Sequence, residues 1–285
     1  MARVGCKAYL ALCFAGALAV SGCGSGGEVA TVTAESRFES AKNLFDDGAY
    51  LEAINEFSVI TLQYQGSPFA ADAQFYLGES RFQREEYLLA AFEYNVLRRN
   101  YPASARVADG LYKLGLSYYE LSPSPKLDQR YTRKAIDEFQ TFVEYYPLHE
   151  LAIDAEEKIA ELNARLARKA YDTARLYVRM GYLRAALIAF EVVIEKYHDT
   201  EYSPQAYLGK AEVLVERGRY EEARSVVETF VKRYPDDDLR SWIDQLKQEI
   251  DEVLLERSPS SSDEASRSQF GTGGPADSRP AATRG

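Results

Sequence analysis

AAFEYNVLRRNYP, residues 90–102, carries the marks that decide the fold. Ala90 is small, Tyr94 lies one helical turn further on, and Tyr101 comes eleven residues after Ala90 with Pro102 directly behind it. The frame recurs: Ala53, Ala135, Ala186 and Ala223 are followed at the same distance by Tyr64, Tyr146, Tyr197 and Tyr234, and Pro147 and Pro235 follow two of these. Four residues after each Ala comes Phe57, Phe139, Phe190 or Val227. Twelve residues before four of the five stands a small residue (Ala41, Gly78, Ala174, Ala211), and five before three of them a glycine (Gly48, Gly181, Gly218). A small residue on one helix and an alanine on the next let two antiparallel helices approach closely. The glycine suits a left-handed cap where the first helix ends. The large residue one turn after the alanine packs towards the neighbouring unit, and the proline cannot continue the hydrogen-bond ladder of the second helix.

A two-helix unit of about 34 residues with these marks resembles the tetratricopeptide repeat. The alanines are spaced by 37, 45, 51 and 37 residues, so the pattern is loose. In the third copy Gly115 takes the small position and Leu121 to Arg133 adds a loop rich in Pro, Ser and charge. In the fourth, Leu151 to Arg179 reads as one unbroken helix, the first helix extended backwards. Beyond Pro235, apolar residues at 239, 242, 243, 246, 250, 253 and 254 keep helical spacing and suit a capping helix. The expectation is an all-α, tetratricopeptide-like solenoid of five helix pairs plus a capping helix over residues 34–256. From Ser258 to Gly285, Ser, Gly and Pro supply 14 of 28 residues, so 257–285 reads as a disordered tail.

Composition removes whole function classes. The 285 residues carry a formal charge of -10, which disfavours a phosphate backbone as partner, and no basic stripe suited to nucleic acid is evident. All three cysteines (Cys6, Cys13, Cys23) fall in the first 23 residues, and the two histidines, His149 and His198, stand far apart at helix-two ends, where they read as exposed turn residues. The chain beyond Cys23 therefore lacks a thiol nucleophile, a disulfide and a Cys/His metal cluster. No phosphate-binding glycine loop, metalloprotease or hydrolase motif occurs. The expectation is a non-enzymatic protein without cofactor or metal; an enzyme using Tyr, Asp or Glu between helices is the rival.

Residues 1–22 have the parts of an export signal: Arg3 and Lys7, an apolar run from Ala8 to Val20, then small residues. The run is shorter than the about 20 apolar residues that span a bilayer. It ends Val20-Ser21-Gly22-Cys23, which resembles a bacterial lipobox. That resemblance implies lipidation of Cys23 and cleavage before it, with 23–33 as a lipidated flexible tether; acyl chains in the plural give stable anchoring. The alternative is an ordinary secretory signal with an incidental cysteine. Residue 24 is Gly, not Asp, which resembles lipoproteins of the outer membrane.

Aligned on their small positions, the first helices show pairs seven residues apart: Phe38 and Phe45, Phe75 and Phe82, Tyr112 and Tyr119. Seven residues is two turns, so each pair shares a side. Two readings stand: a groove for an aromatic-bearing peptide, or core between repeats. The groove is favoured because Ala41, Leu44, Leu77, Gly78, Leu114 and Gly115 already fill the packing positions. In the fourth copy Arg165, Arg168, Lys169, Arg175, Arg179 and Arg184 make a basic zone, read as a solvated face or as docking for an acidic partner.

Taken in order, the lipobox, the five repeats, the third-repeat insertion and the long first helix of the fourth resemble the BamD family. The segments that carry the likeness are YQGSPFAADAQFYL (64–77), ADGLYKLGL (108–116) and RLARKAYDTARLY (165–177). The resemblance implies an outer-membrane, periplasm-facing lipoprotein of the β-barrel assembly machinery. It implies contact with the barrel component BamA through the C-terminal repeats, for which Arg168, Tyr171, Arg175, Arg179 and Arg184 are the candidates. It also implies that the N-terminal repeats recognise C-terminal signals of unfolded outer-membrane proteins, which the six aromatics suit. The insertion is short and has Tyr131 as its one aromatic, and the polar tail is outside the family pattern. Another tetratricopeptide lipoprotein, acting in pilus secretin assembly or envelope coordination, is the alternative.

Overall fold

The computed structural model describes residues 33–257. The export signal, Cys23, the tether up to residue 32 and the tail from 258 onward lie outside the described residues. The described residues form eleven helices and contain no strand: α1 (Ala34–Asp46), α2 (Tyr50–Gln63), α3 (Ala70–Gln83), α4 (Tyr87–Asn100), α5 (Arg106–Glu120), α6 (Arg130–Tyr145), α7 (Ala152–Arg179), α8 (Leu183–Lys196), α9 (Tyr202–Glu216), α10 (Tyr220–Arg233) and α11 (Arg240–Arg257). They pair as α1/α2 through α9/α10, with α11 packed on α10 as the terminal cap.

The repeat marks do what their chemistry requires. The five alanines are fully buried, and so, to within 1 % of exposure, are Phe57, Tyr94, Phe139, Phe190 and Val227 one turn later. The five tyrosines are the residues on which the second helices end, each with φ between −124° and −131°. Leaving the helical region there frees the chain to turn, and Pro102, Pro147 and Pro235 prevent any continuation. At Gly115 a Cβ would stand 2.7 Å from the Phe139 ring, so the missing side chain is what lets α5 and α6 meet.

The long helix α7 follows the expected unbroken stretch. The third-repeat insertion is shorter than the sequence pattern suggests: α6 begins at Arg130, and the loop is 121–129. Buried Thr132 explains the difference. Its hydroxyl donates to Gln129 Oε1 at 2.7 Å, which draws the first turn of α6 into the core.

Each first helix touches both its own partner and the first helix of the next pair, as α1 with α3, α3 with α5, α7 with α9 and α9 with α11. Second helices meet the following pair through its first helix. The first helices therefore form the inner row of the stack.

The glycine expected after the first helix adopts positive φ at Gly181 (+74°), as do Gly48 and Gly218. In the second pair the same position is Glu85, at φ +60°. An L-residue pays about 1–2 kcal/mol there, against about 0.5–1 kcal/mol of extra unfolded-chain entropy for a glycine. Glu85 is exposed. Glu85→Gly should therefore stabilise the protein by roughly 0.5–1 kcal/mol, read as a higher urea midpoint. A lower midpoint would mean that its side chain holds the turn.

Candidate functional site

The inner row is stitched by side chains in heptad register. On α3, Asp72 and Glu79 accept from Arg106 and Lys113 of α5 at 2.6 Å and 2.8 Å. On α5, the hydroxyls of Tyr112 and Tyr119 donate to Asp154 and Glu161 of α7, the second at 2.6 Å. The partners are 34 residues apart in the first set and 42 in the second, because the insertion lengthens the period. Burial, with the Asp154 bond behind it, pushes the Tyr112 hydroxyl well above its ordinary range. The bond to Glu161, with burial second, pushes Tyr119 up to about 12.

This register corrects the reading of the six aromatics. Phe75 and Tyr112 are each only 7 % exposed and belong to the core. Phe75 packs against Tyr94 and lies under the Arg106 guanidinium, and Tyr112 packs against Phe139 and Phe142. Each lies three residues before a glycine, Gly78 or Gly115, whose missing side chain lets the second-helix rings of Tyr94 and Phe139 close against the first helix, whereas Phe38 has the same place before Ala41 and stays half-buried. Phe38, Phe45, Phe82 and Tyr119 are half-buried. Phe38 and Phe45 hold Tyr76 of α3 between them, with centroids 6.1 Å and 5.3 Å away. Phe82 meets Tyr87 and the Lys113 ammonium, and Tyr119 lies under Lys158. These four rings seal the seams between successive first helices and keep part of their surface accessible.

His149 also departs from its expected exposure. Its ring packs edge-on against Phe142, its Nδ1 accepts the Leu151 N–H at 3.2 Å, and Nε2 stands 3.4 Å from Asp109. It fixes the entry to α7. Among the described residues, no cluster of three or more His, Cys, Asp or Glu could hold a metal ion.

The basic zone divides into anchors and exposed cations. Arg165 donates to Ser122 O at 3.0 Å and to Ser122 Oγ at 2.8 Å, and Lys169 donates to Leu127 O at 2.7 Å, so both hold the insertion loop on α7. Arg168, Arg175 and Arg179 are exposed along one side of α7 and line a cleft against the insertion. Arg184 opens α8 and does not line it. Tyr171 packs on Phe190 and Tyr202 and faces a second pocket of about 430 Å³ with Arg175, Glu212 and Asp238. Burial raises the Glu212 carboxyl above its usual range, with Arg175 opposing it. The anchoring pairs were not visible beforehand, because they join residues 42 to 44 apart across the insertion.

Comparison with known proteins places this architecture. Residues 31–219 match the family described as YfiO, outer membrane lipoprotein, and residues 205–237 match a tetratricopeptide repeat model. An outer membrane protein assembly factor BamD of Caulobacter vibrioides is 33% identical over 109 residues, 38% of this chain and 36% of that protein. The BamD of Rickettsia prowazekii is 32% identical over 120 residues, 42% of this chain and 48% of that protein. The matched stretches thus span less than half the length of these relatives. Among solved structures, the TPR2AB domain of yeast Sti1, in complex with pHSP90, aligns at 15% identity with a TM-score of 0.39, covering 78% of this chain and 84% of that one. With a family match over most of its described helices, the chain belongs to the YfiO outer-membrane lipoprotein family, that of BamD.

Proposed function

We propose that this protein is a lipid-anchored scaffold of the β-barrel assembly machinery, facing the periplasm and taking part in the folding and insertion of outer-membrane proteins. The observation that carries the reading is the family match over residues 31–219, together with relatives that are outer membrane protein assembly factors. The anchor is a set of acyl chains on Cys23. The protein acts by binding rather than by catalysis. Arg168, Tyr171, Arg175, Arg179 and Arg184 belong to the half that docks a BamA-like barrel component. In the N-terminal half the accessible edges of Phe38, Phe45, Phe82 and Tyr119 contact the aromatic-ending signals of unfolded clients. Half-buried rings held by their neighbours give contact area at low entropic cost.

The test is purification of the full chain from detergent-solubilised membranes of its own host. A barrel component should be recovered with the wild type. Cys23→Ala should lose labelling by a fatty-acid analogue. Recovery of pilus secretin proteins with no barrel component would overturn the assembly role, and persistent labelling of the variant would overturn the anchor.

A further inference from the structure

We propose that the cleft between α7 and the third-repeat insertion binds an acidic, extended segment of a partner polypeptide, with an apolar side chain seated on Leu176. The cleft encloses about 530 Å³. Five cations line it (Lys126, Arg168, Lys169, Arg175 and Arg179) against one carboxylate, Asp172, in a chain whose formal charge is -10. Lys169 is held by the loop carbonyls, and Arg168 reaches Asp172 only at 3.9 Å. Among the described residues, no carboxylate lies within ion-pair distance of Lys126, Arg175 or Arg179. Lys126 and Arg179 thus face solvent without a counter-charge, and Arg175 shares its charge with Glu212 of the neighbouring pocket, in a chain that is acidic as a whole. Such a patch attracts a complementary segment and rejects a basic one.

Shape argues for a built site. The wall opposite α7 is a fixed loop: Gln129, 1 % exposed, donates to Ser124 O at 2.8 Å and to Leu127 O at 3.0 Å, while Arg165 and Lys169 bind the same loop from α7. A wall fixed in advance loses little freedom when a ligand arrives. Leu176 lines the cleft and is 44 % exposed, which supplies an apolar seat among the charges. A segment of alternating acidic and apolar residues satisfies both. The proposal deepens the docking role given above and rests on it for the partner's identity; the chemistry of the cleft stands apart from it.

The probe is a short fluorescein-labelled Glu-rich peptide with one central Leu, titrated against the full chain in detergent; a Lys-rich peptide is the control. The Glu-rich peptide should bind, and added salt should weaken it. Arg168→Glu with Arg179→Glu should lower its affinity about tenfold or more with helicity unchanged. Lys232→Glu with Arg233→Glu, the same charge change at the end of α10, should leave it within about twofold. Gln129→Ala keeps every cation, so it should weaken binding without altering the salt dependence. Equal losses in both charge-reversed pairs, or no binding of the Glu-rich peptide, would overturn the proposal. So would tighter capture of phosphatidylglycerol vesicles than of the peptide, lost in the same α7 variant, since the cleft would then serve a lipid surface. If the α7 variant loses the peptide yet still recovers a barrel component, the cleft stands and the docking role lies elsewhere.

Discussion

Phe139→Ala lowers the unfolding free energy by about 3–5 kcal/mol. The ring is fully buried in the cluster that joins α3 to α7, against Tyr112 at a centroid distance of 5.7 Å and over Gly115. Gly115 has no side chain to move into the space, and Leu114 and Phe142 beside it are already fully buried. The cavity therefore stays open, which places the cost near the upper part of that range. Because each helix pair contacts only its neighbours, the loss concentrates at the α5/α6 seam. Urea unfolding followed by far-ultraviolet circular dichroism should show a lower midpoint and a broadened or split transition. Phe139→Leu, which keeps most of the volume, should cost about 1.5 kcal/mol or less. A loss below about 1 kcal/mol for the alanine variant would mean that α5 and α6 close over the gap.

That experiment probes a feature readable in the sequence, since Phe139 is one of five large residues placed one turn after a repeat alanine. Alanine, large residue and terminal tyrosine all respond to local rules: close approach, burial and helix termination. Long-range stitching obeys no such rule. Asp72 with Arg106, and Tyr119 with Glu161, meet because two first helices lie side by side at a repeat period that the insertion then changes. Phe75 and Tyr112 drop out of the accessible row for a related reason. A first helix of a solenoid is covered on its partner side and along both seams, so counting filled packing positions underestimates how much it buries. The signal that separates the buried rings was present: Phe75 and Tyr112 lie three residues before Gly78 and Gly115, on the face that those glycines bring against the second helix. The division of the basic zone had no such signal. Arg165 and Lys169 differ from Arg168 and Arg175 only by pointing at a loop whose path the sequence does not specify.

Gly209→Leu should destabilise on the same scale as loss of the Phe139 ring, by overpacking rather than by a cavity. Gly209 lies on α9 outside the repeat marks, and the pattern gives it no special place. A Cβ there would stand 2.5 Å from Phe190 Cζ and 2.8 Å from Cε1. Phe190 cannot yield: its ring is fully buried and packed on Tyr171. Two effects oppose each other even for Gly209→Ala. Helix propensity favours the alanine by about 1 kcal/mol, while forcing a methyl into a filled contact costs about 1–3 kcal/mol. The contact wins, and Gly209→Ala should be destabilising by about 1 kcal/mol. Leucine adds three more carbons with nowhere to go and should separate α9 from α8, at a cost of about 3 kcal/mol or more. The discriminating measurement is a double-mutant cycle. Phe190→Leu alone should destabilise, but in the Gly209→Ala background it should cost less, with a coupling of about 0.5–3 kcal/mol. Strict additivity of the two substitutions would show that the α8/α9 seam relaxes freely, and would remove close approach at Gly209 as the reason that these helices pack as they do.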